Sequence, residues 1–268
     1  YDLERLIQDA KDLDLAFPVL HGLQGEDGAI QGLMKLLNVP CVGSGILASA
    51  LAMDKDKAKG VFREQGIPVA RDLILNKKSG LKNELTRAIE FLQLPLVIKP
   101  IEQGSSVGLS IANSDKELEV ALEDAWTFAP RAMAEEYISG REFSVAVIGN
   151  DSPTAFPPIE IIPAPGHLFF DYSAKYDPGE AQEICPADLT EDETRIICLL
   201  AIKAHSALGC RGYSRTDLIL NNDVFYTLET NTLPGLTSGS LFPKAAIAAG
   251  YSFSSILDHL IDLALEKD

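Results

Sequence analysis

The stretch Tyr213-Ser-Arg-Thr-Asp-Leu-Ile-Leu-Asn-Asn-Asp-Val-Phe-Tyr-Thr-Leu-Glu-Thr-Asn231 reads as two strands, 213–220 and 224–231, joined by Asn221-Asn222-Asp223. A three-residue turn sets Arg215 opposite Glu229. Side chains alternate along a strand, so Arg215, Asp217, Glu229 and Asn231 share one face, with Asp217 diagonal to Glu229. Two carboxylates and an amide oxygen suit Mg²⁺, a hard cation that completes its octahedron with water and phosphate oxygens. An arginine beside them suits a developing oxyanion. The same face also fits a solvated set of cross-strand ion pairs, and a bulge near the turn would change the register.

Upstream of this hairpin, Thr190-Glu-Asp-Glu193 is a capping box, and Ile196, Leu200, Ala204 and Leu208 keep the helical period until Gly209 ends it. Segments 133–138, 142–148 and 155–162 are short, rich in β-formers and separated by turn residues, which predicts an antiparallel sheet. Residues 163–186 read as a long irregular loop whose aromatics suggest a functional lid. Downstream come a glycine-rich loop and a final helix to Leu265. Earlier still, strand 96–100 leads into the loop Gly104–Gly108, and Ser114 starts a helix in a second capping box. The first residues alternate in the α/β manner: an amphipathic segment 4–13, a strand 15–20 closing on His21-Gly22, a helix 29–37, a strand 39–42, and a helix within 43–66.

Composition narrows the function. The chain has 268 residues, 46% of them hydrophobic, enough for a sizeable core. It carries 39 acidic against 23 basic side chains, a net charge of −16, so nucleic acid and anionic membrane are poor partners. No apolar run approaches a membrane span and the start is charged, which points to a cytoplasmic protein. Four cysteines and four histidines are scattered without metal-ligand spacing, so any metal is expected on oxygen ligands.

Several motifs are consistent with a nucleotide. Lys99 followed by Gly104-Ser105-Ser106-Val107-Gly108 can bring an ammonium, backbone N–H groups and hydroxyls to phosphate, although such turns are common between strands. Lys55 suits phosphate or a charged helix face. Glu135, Ile138 and Glu142 combine acceptors with a strand edge that can read an adenine and a ribose, or are plain exposed strand positions. His21, at a strand end, can serve as acid, base or substrate partner, or be structural.

Taken in order, His21-Gly-x-x-Gly25-Glu26-Asp27-Gly28-x-x-Gln31-Gly32, then MDK, IKP, EQGSSVG, EEYISGREF, DYSAKY, RTD and LETNTLPG closely resemble the D-alanine–D-alanine ligases of the ATP-grasp superfamily. The resemblance runs over nearly the whole chain. It implies an ATP-grasp fold of mixed α/β and α+β character: the remainder of an N-terminal parallel α/β domain (1–50), a small central α+β lobe (51–140), and a C-terminal antiparallel-sheet lobe (141–268) carrying the lid 163–186. It further implies a β-α-β stretch ahead of Tyr1, with a glutamate for the first substrate's amine, and a homodimer. The implied substrates are ATP and D-alanine, and the implied metal is Mg²⁺, with Mn²⁺ an alternative.

Residue by residue, the resemblance puts Lys55, Lys99 and Ser106 on the phosphates, Glu135 and the Ile138 backbone at adenine, and Glu142 on ribose. Asp217, Glu229 and Asn231 hold the metal, and Arg215 steadies the tetrahedral oxyanion. Ser240, the Leu241 backbone and Gly235 take the second D-alanine, and His21 lies near the first. Ser105 and Tyr176 bridge the closed lid, and Lys175 reaches substrate carboxylate or phosphate. A lid has a chemical purpose, because an acyl phosphate hydrolyses if water remains. In lactate-joining relatives a histidine replaces the lysine–tyrosine pair, so Lys175-Tyr176 favours the dipeptide; the alternatives are D-serine or D-lactate as acceptor and, from another class, a catalytically silent ATP-binding module, against which Arg215, Asp217, Glu229, Asn231 and Ser240 argue.

Overall fold

The protein was described from a computed structural model, which covers residues 3–104, 107–164 and 181–266. Two antiparallel sheets organise it. The first has strand order β1-β4-β2-β3, formed by β1 (Asp72–Asn76), β2 (Leu96–Pro100), β3 (Ser110–Ala112) and β4 (Arg131–Glu136). Helices α5 (Leu81–Phe91) and α6 (Asp115–Phe128) cover one face, burying Leu75, Leu96, Ile98, Leu118, Leu122 and Trp126 together. Ser114 caps α6 by accepting from the Glu117 N–H at 3.3 Å.

The second sheet has six strands. At its centre β5 (Arg141–Ile148) lies between β9 (Tyr213–Asn221), which pairs onward with β10 (Val224–Asn231), and β7 (Ile159–Pro163), which pairs onward with β8 (Ala181–Ile184). The short β6 (Thr154–Ala155) pairs with the end of β5. Alternation along β5 sorts its two faces. Phe143, Val145 and Val147 pack under α7 (Glu191–Leu208), whereas Ala146 and Ile148 join the core beneath α8 (Leu241–Ala248) and α9 (Phe253–Leu265). Burial of this many apolar side chains on both faces supplies the main driving force for this half.

Helices α3 (Ile46–Met53) and α4 (Lys55–Glu64) lean on α7 through Ala48, Ala58, Phe62, Ala204 and Leu208. Helices α1 (Leu3–Asp9) and α2 (Ala29–Leu36) enclose a smaller cluster around Ala10, Met34 and Val39. Residues 137–140 carry the chain from β4 into β5, and so from one sheet to the other. Gly140 fits there because a Cβ would lie 2.1 Å from the Leu220 carbonyl oxygen.

Several expectations change. The strands expected at 15–20 and 39–42 reduce to one parallel bridge, Ala16 with Cys41. The helix expected within 43–66 is two, because Asp54 is extended and its carboxylate caps α4 by accepting from the Lys57 N–H at 3.1 Å. β1 and α5 were not anticipated. Segment 133–138 is displaced to Arg131–Glu136 and joins the first sheet, not the sheet of 142–148. Segment 155–162 splits at Pro157-Pro158, which cannot continue a ladder, into β6 and β7. Within 163–186, residues 181–184 are strand and residues 165–180 lie outside the described residues. The final helix is two, divided at Gly250, whose φ of +93° ends the first.

Candidate functional site

The hairpin forms, in a different register. Asn221 pairs with Val224, so the turn has two central residues, Asn222 and Asp223, both with positive φ (+45° and +64°), as a tight hairpin of right-handed twist requires. Leu228 is then an extra residue between the pairs Thr227–Leu218 and Glu229–Asp217. The shorter turn and the bulge together return the four polar side chains to one face. Glu229 lies directly opposite Asp217, and Asn231 opposite Arg215.

Asp217 is the most constrained member of this face. Arg215 grips it with Nε and Nη2 at 2.9 and 2.8 Å, and Ser144 on β5 donates to the same Oδ1 at 2.7 Å. Burial disfavours the Arg215 charge, yet Asp217, Glu229 and Glu26 outweigh it and hold the guanidinium above its ordinary range. Asn231 turns its Oδ1 to the Leu233 N–H at 2.8 Å, which fixes the amide.

Two cavities meet at this face. The larger, about 350 Å³, is bordered by His21, Glu26, Lys55, Arg215, Glu229, Asn231, Gly235, Ser240 and Leu241, with Gln103, Glu183 and Thr237. Ser240 precedes the first residue of α8, so the helix N-terminus and its free N–H groups open here. The Ser240 hydroxyl bonds that of Thr237 at 2.8 Å. A Cβ on Gly235 would lie 2.7 Å from the Ser240 Oγ, so any larger residue would push that hydroxyl from its place. Glu26 accepts from the Gly22 N–H. Its carboxyl is nevertheless pushed up, because burial outweighs that bond and the His21 and Arg215 charges.

The smaller cavity, about 110 Å³, lies between the sheets. Val97, Ile111, Ile138, Ile219 and Leu228 give it apolar walls, and Lys99, Glu135, Glu142 and Asp217 its polar groups. Glu135 is buried, with Lys99 on Oε2 and Lys59 on Oε1, the latter at 2.5 Å. Burial would raise its carboxyl, but the two ammonium groups hold it below the usual carboxylate range. Lys55, Gln103 and Glu229 border both cavities. Lys55 donates to the Gln103 carbonyl at 2.6 Å and stands 3.5 Å from Glu229 Oε2.

The structure therefore gathers His21, Lys55, Arg215, Glu229, Asn231, Gly235, Ser240 and Leu241 around one cavity, and Lys55, Lys99, Glu135, Ile138, Glu142, Asp217 and Glu229 around the other. Ser105, Ser106, Lys175 and Tyr176 lie outside the described residues. Sequence reasoning did not single out Glu26, Gln103, Thr237 or Lys59. Glu26 stood inside the quoted HGLQGEDG motif, and Lys59 stands one helical turn after Lys55; both signals were available. Among the described residues no group of three His, Cys, Asp or Glu side chains is clustered for a metal. The donor set on the hairpin is instead two carboxylates and an amide, all oxygen, and it fits a hard divalent cation in kind.

Comparison with known proteins agrees with this geometry. A family model described as the D-ala D-ala ligase C-terminus matches residues 61–262, and one described as the D-ala D-ala ligase N-terminus matches residues 3–44. The chain is 48% identical over 266 residues to a D-alanine–D-alanine ligase of Syntrophobacter fumaroxidans, covering 99% of this chain and 85% of that protein. A crystal structure of the D-alanine–D-alanine ligase from Bacillus anthracis complexed with ATP superposes with a TM-score of 0.84 at 33% identity, covering 98% of this chain and 82% of the other. The VanG D-Ala:D-Ser ligase from Enterococcus faecalis gives a TM-score of 0.86 at 37% identity, covering 94% and 73%. Two antiparallel sheets with a charged cleft between them, so matched, define an ATP-dependent ligase of the ATP-grasp fold. Within that class, the chain belongs to the D-alanine–D-alanine ligase family.

Proposed function

We propose that the protein joins two D-alanines at the expense of ATP, through a D-alanyl phosphate, in making a cell-wall precursor in the cytoplasm. Among the described residues no helix is long and apolar enough to cross a membrane. The carrying observation is that Lys55 and Glu229 border both cavities, so the phosphate end of a nucleotide in the smaller would meet a substrate in the larger. In this reading the apolar walls of the smaller cavity take adenine, with Glu135 and the Ile138 backbone at its edge and Glu142 on ribose. Lys55, Lys99 and the loop containing Ser106 take phosphate. Asp217, Glu229 and Asn231 would hold Mg²⁺, which when bound would screen the phosphates' charge.

The carboxylate of the first D-alanine attacks the γ-phosphate and ADP leaves. The amine of the second then attacks the acyl carbon, loses a proton, and expels inorganic phosphate. Arg215, fixed by Asp217 at the border of the larger cavity, is suited to the oxyanion of that second step. The α8 N-terminus with Ser240, Leu241 and Gly235 is suited to the acceptor's carboxylate, and His21 to the first substrate. On sequence grounds Ser105, Lys175 and Tyr176 belong to the same proposal, as do the three-part division at 50 and 140 and a homodimer.

Mass spectrometry of products formed from ATP, Mg²⁺ and D-alanine, with D-serine and D-lactate in competition, tests the proposal. D-alanyl-D-alanine with stoichiometric phosphate is the expected result. A D-alanyl-D-serine product would move the acceptor assignment. No D-alanine-dependent phosphate would overturn the reading.

A further inference from the structure

Lys59 lies on α4 one turn after Lys55, yet it borders neither cavity. Its side chain is 1% exposed and runs under the first sheet. There Nζ donates to Glu135 Oε1 at 2.5 Å and to the Ala70 carbonyl at 3.4 Å, and stands 3.6 Å from Asp72 Oδ1. A lysine is almost never buried this deeply unless its charge is paired. Glu135 is buried as fully, and its second oxygen meets Lys99. One carboxylate thus has two ammonium partners, and the two differ: Lys99 reaches the nucleotide cavity and Lys59 does not.

If Lys99 turns to a phosphate, Glu135 loses one of its two cations while still buried. A carboxylate left so would take up a proton or draw Lys99 back, and either would oppose the nucleotide. We infer that Lys59 is a positioning residue for the nucleotide: the fixed counter-ion that keeps Glu135 ionised and in place while Lys99 leaves it for phosphate. This rests on the nucleotide reading of the smaller cavity. The charges facing Lys59 are Glu135 on β4, Asp72 on β1, Lys99 on β2 and Arg63 on its own helix. Burial draws the Lys59 ammonium down to about 8 against the pull of Glu135, which leaves it mostly charged at neutral pH. Asp72 has Arg63 as a second partner, so loss of Lys59 would leave Glu135 as the group most affected.

Calorimetry of MgADP binding at pH 7, in two buffers of different ionisation enthalpy, reads affinity and proton uptake together. For K59M the Kd is expected to rise on the order of 10- to 100-fold, with uptake of up to about one proton per nucleotide; the wild type should take up almost none. In K59M/E135Q the uptake should vanish, since no carboxylate remains to accept the proton. A simple packing role for Lys59 would weaken binding without proton uptake, and that result overturns the inference. So does a K59M protein whose affinity stays within about twofold of wild type without uptake. If K59M does not fold, the wild type decides alone: uptake of about one proton per MgADP shows that Lys59 does not keep Glu135 ionised. K99M separates the two levels. Unchanged MgADP affinity there would remove the nucleotide reading itself, whereas weakened affinity in K99M beside an unaffected K59M would remove only the role of Lys59.

Discussion

Two buried charge clusters flank the cleft, one on each sheet, and they are built with opposite surpluses. On the four-stranded sheet a single carboxylate, Glu135, is held by two ammonium groups, Lys59 and Lys99. On the six-stranded sheet a single guanidinium, Arg215, is surrounded by Asp217, Glu229 and Glu26. Each cluster stabilises the fold less than its charges suggest, because desolvation offsets most of the attraction. The surplus sign is the informative part. Lys99 presents its ammonium to the cavity suited to phosphates while Lys59 stays behind to balance Glu135, and excess anion faces the place where a divalent cation and a substrate ammonium would need partners.

The largest expected effect breaks the second cluster. Arg215→Met should lower kcat by about 10²–10³ fold, because it removes a charge aimed at the oxyanion, and phosphate release with saturating substrates would show it. An effect confined to the KM for ATP would mean that both clusters only bind nucleotide, and the contrast would dissolve. Next, Glu229→Gln takes one anion from the surplus. Turnover should fall on the order of tenfold or more, and the Mg²⁺ concentration for half-maximal rate should rise. A loss of turnover that no amount of Mg²⁺ alters would point to a role beside Lys55 alone.

Smaller effects probe the support behind the six-stranded sheet. His205 on α7 is fully buried, with Nδ1 2.8 Å from the hydroxyl of Ser214, the neighbour of Arg215 on β9. Burial holds its imidazole down at about 4, against an ordinary 6.5. The unfolded chain therefore binds more protons between those values, so stability is full above about 6.5 and is lost as pH falls towards 4, by a few kcal/mol at most. Melting curves from pH 7 to 4.5 should be steeper for wild type than for His205→Gln; parallel curves would exclude His205 as the cause. The smallest change is Thr190→Ala, which removes the capping box of α7. It should cost about 1 kcal/mol, seen as a lower Tm, and leave turnover unchanged.

What could be read from the sequence was what local chemistry decides. Ser114, Thr190 and Gly209 mark helix ends because a cap is settled by a few adjacent residues. The shared face of Arg215, Asp217, Glu229 and Asn231 follows from period two and survives the change of register. The register itself was hidden, because a two-residue turn and a bulge are both compatible with the same letters. Segments 131–136 and 141–148 look like one hairpin, yet they enter different sheets because the short link through Gly140 packs against β9 rather than folding back. The break at Asp54 was legible in MDKDK as an N-cap, but continuous helical residues on both sides masked it. Glu26 stands in the HGLQGEDG motif and Lys59 one turn after Lys55, but those signals mark a position and not a role, because the role lies in partners far along the chain and in burial, neither of which a sequence prints.

The extra residue at Leu228 works on β10 as an inserted letter works on a reading frame. Up to Thr227 the strand is read in one phase; from Glu229 onward it is read in the other. Taking Leu228 into the ladder as an ordinary paired residue would leave the composition of the hairpin untouched, set Glu229 opposite Thr216, and turn Glu229 and Asn231 away from Asp217 and Arg215, towards the side where Thr216 and Thr230 now bond at 2.9 Å. Because Leu228 also forms part of the wall of the smaller cavity, the same inserted residue sets the phase of the hairpin's last polar residues and helps shape the neighbouring pocket.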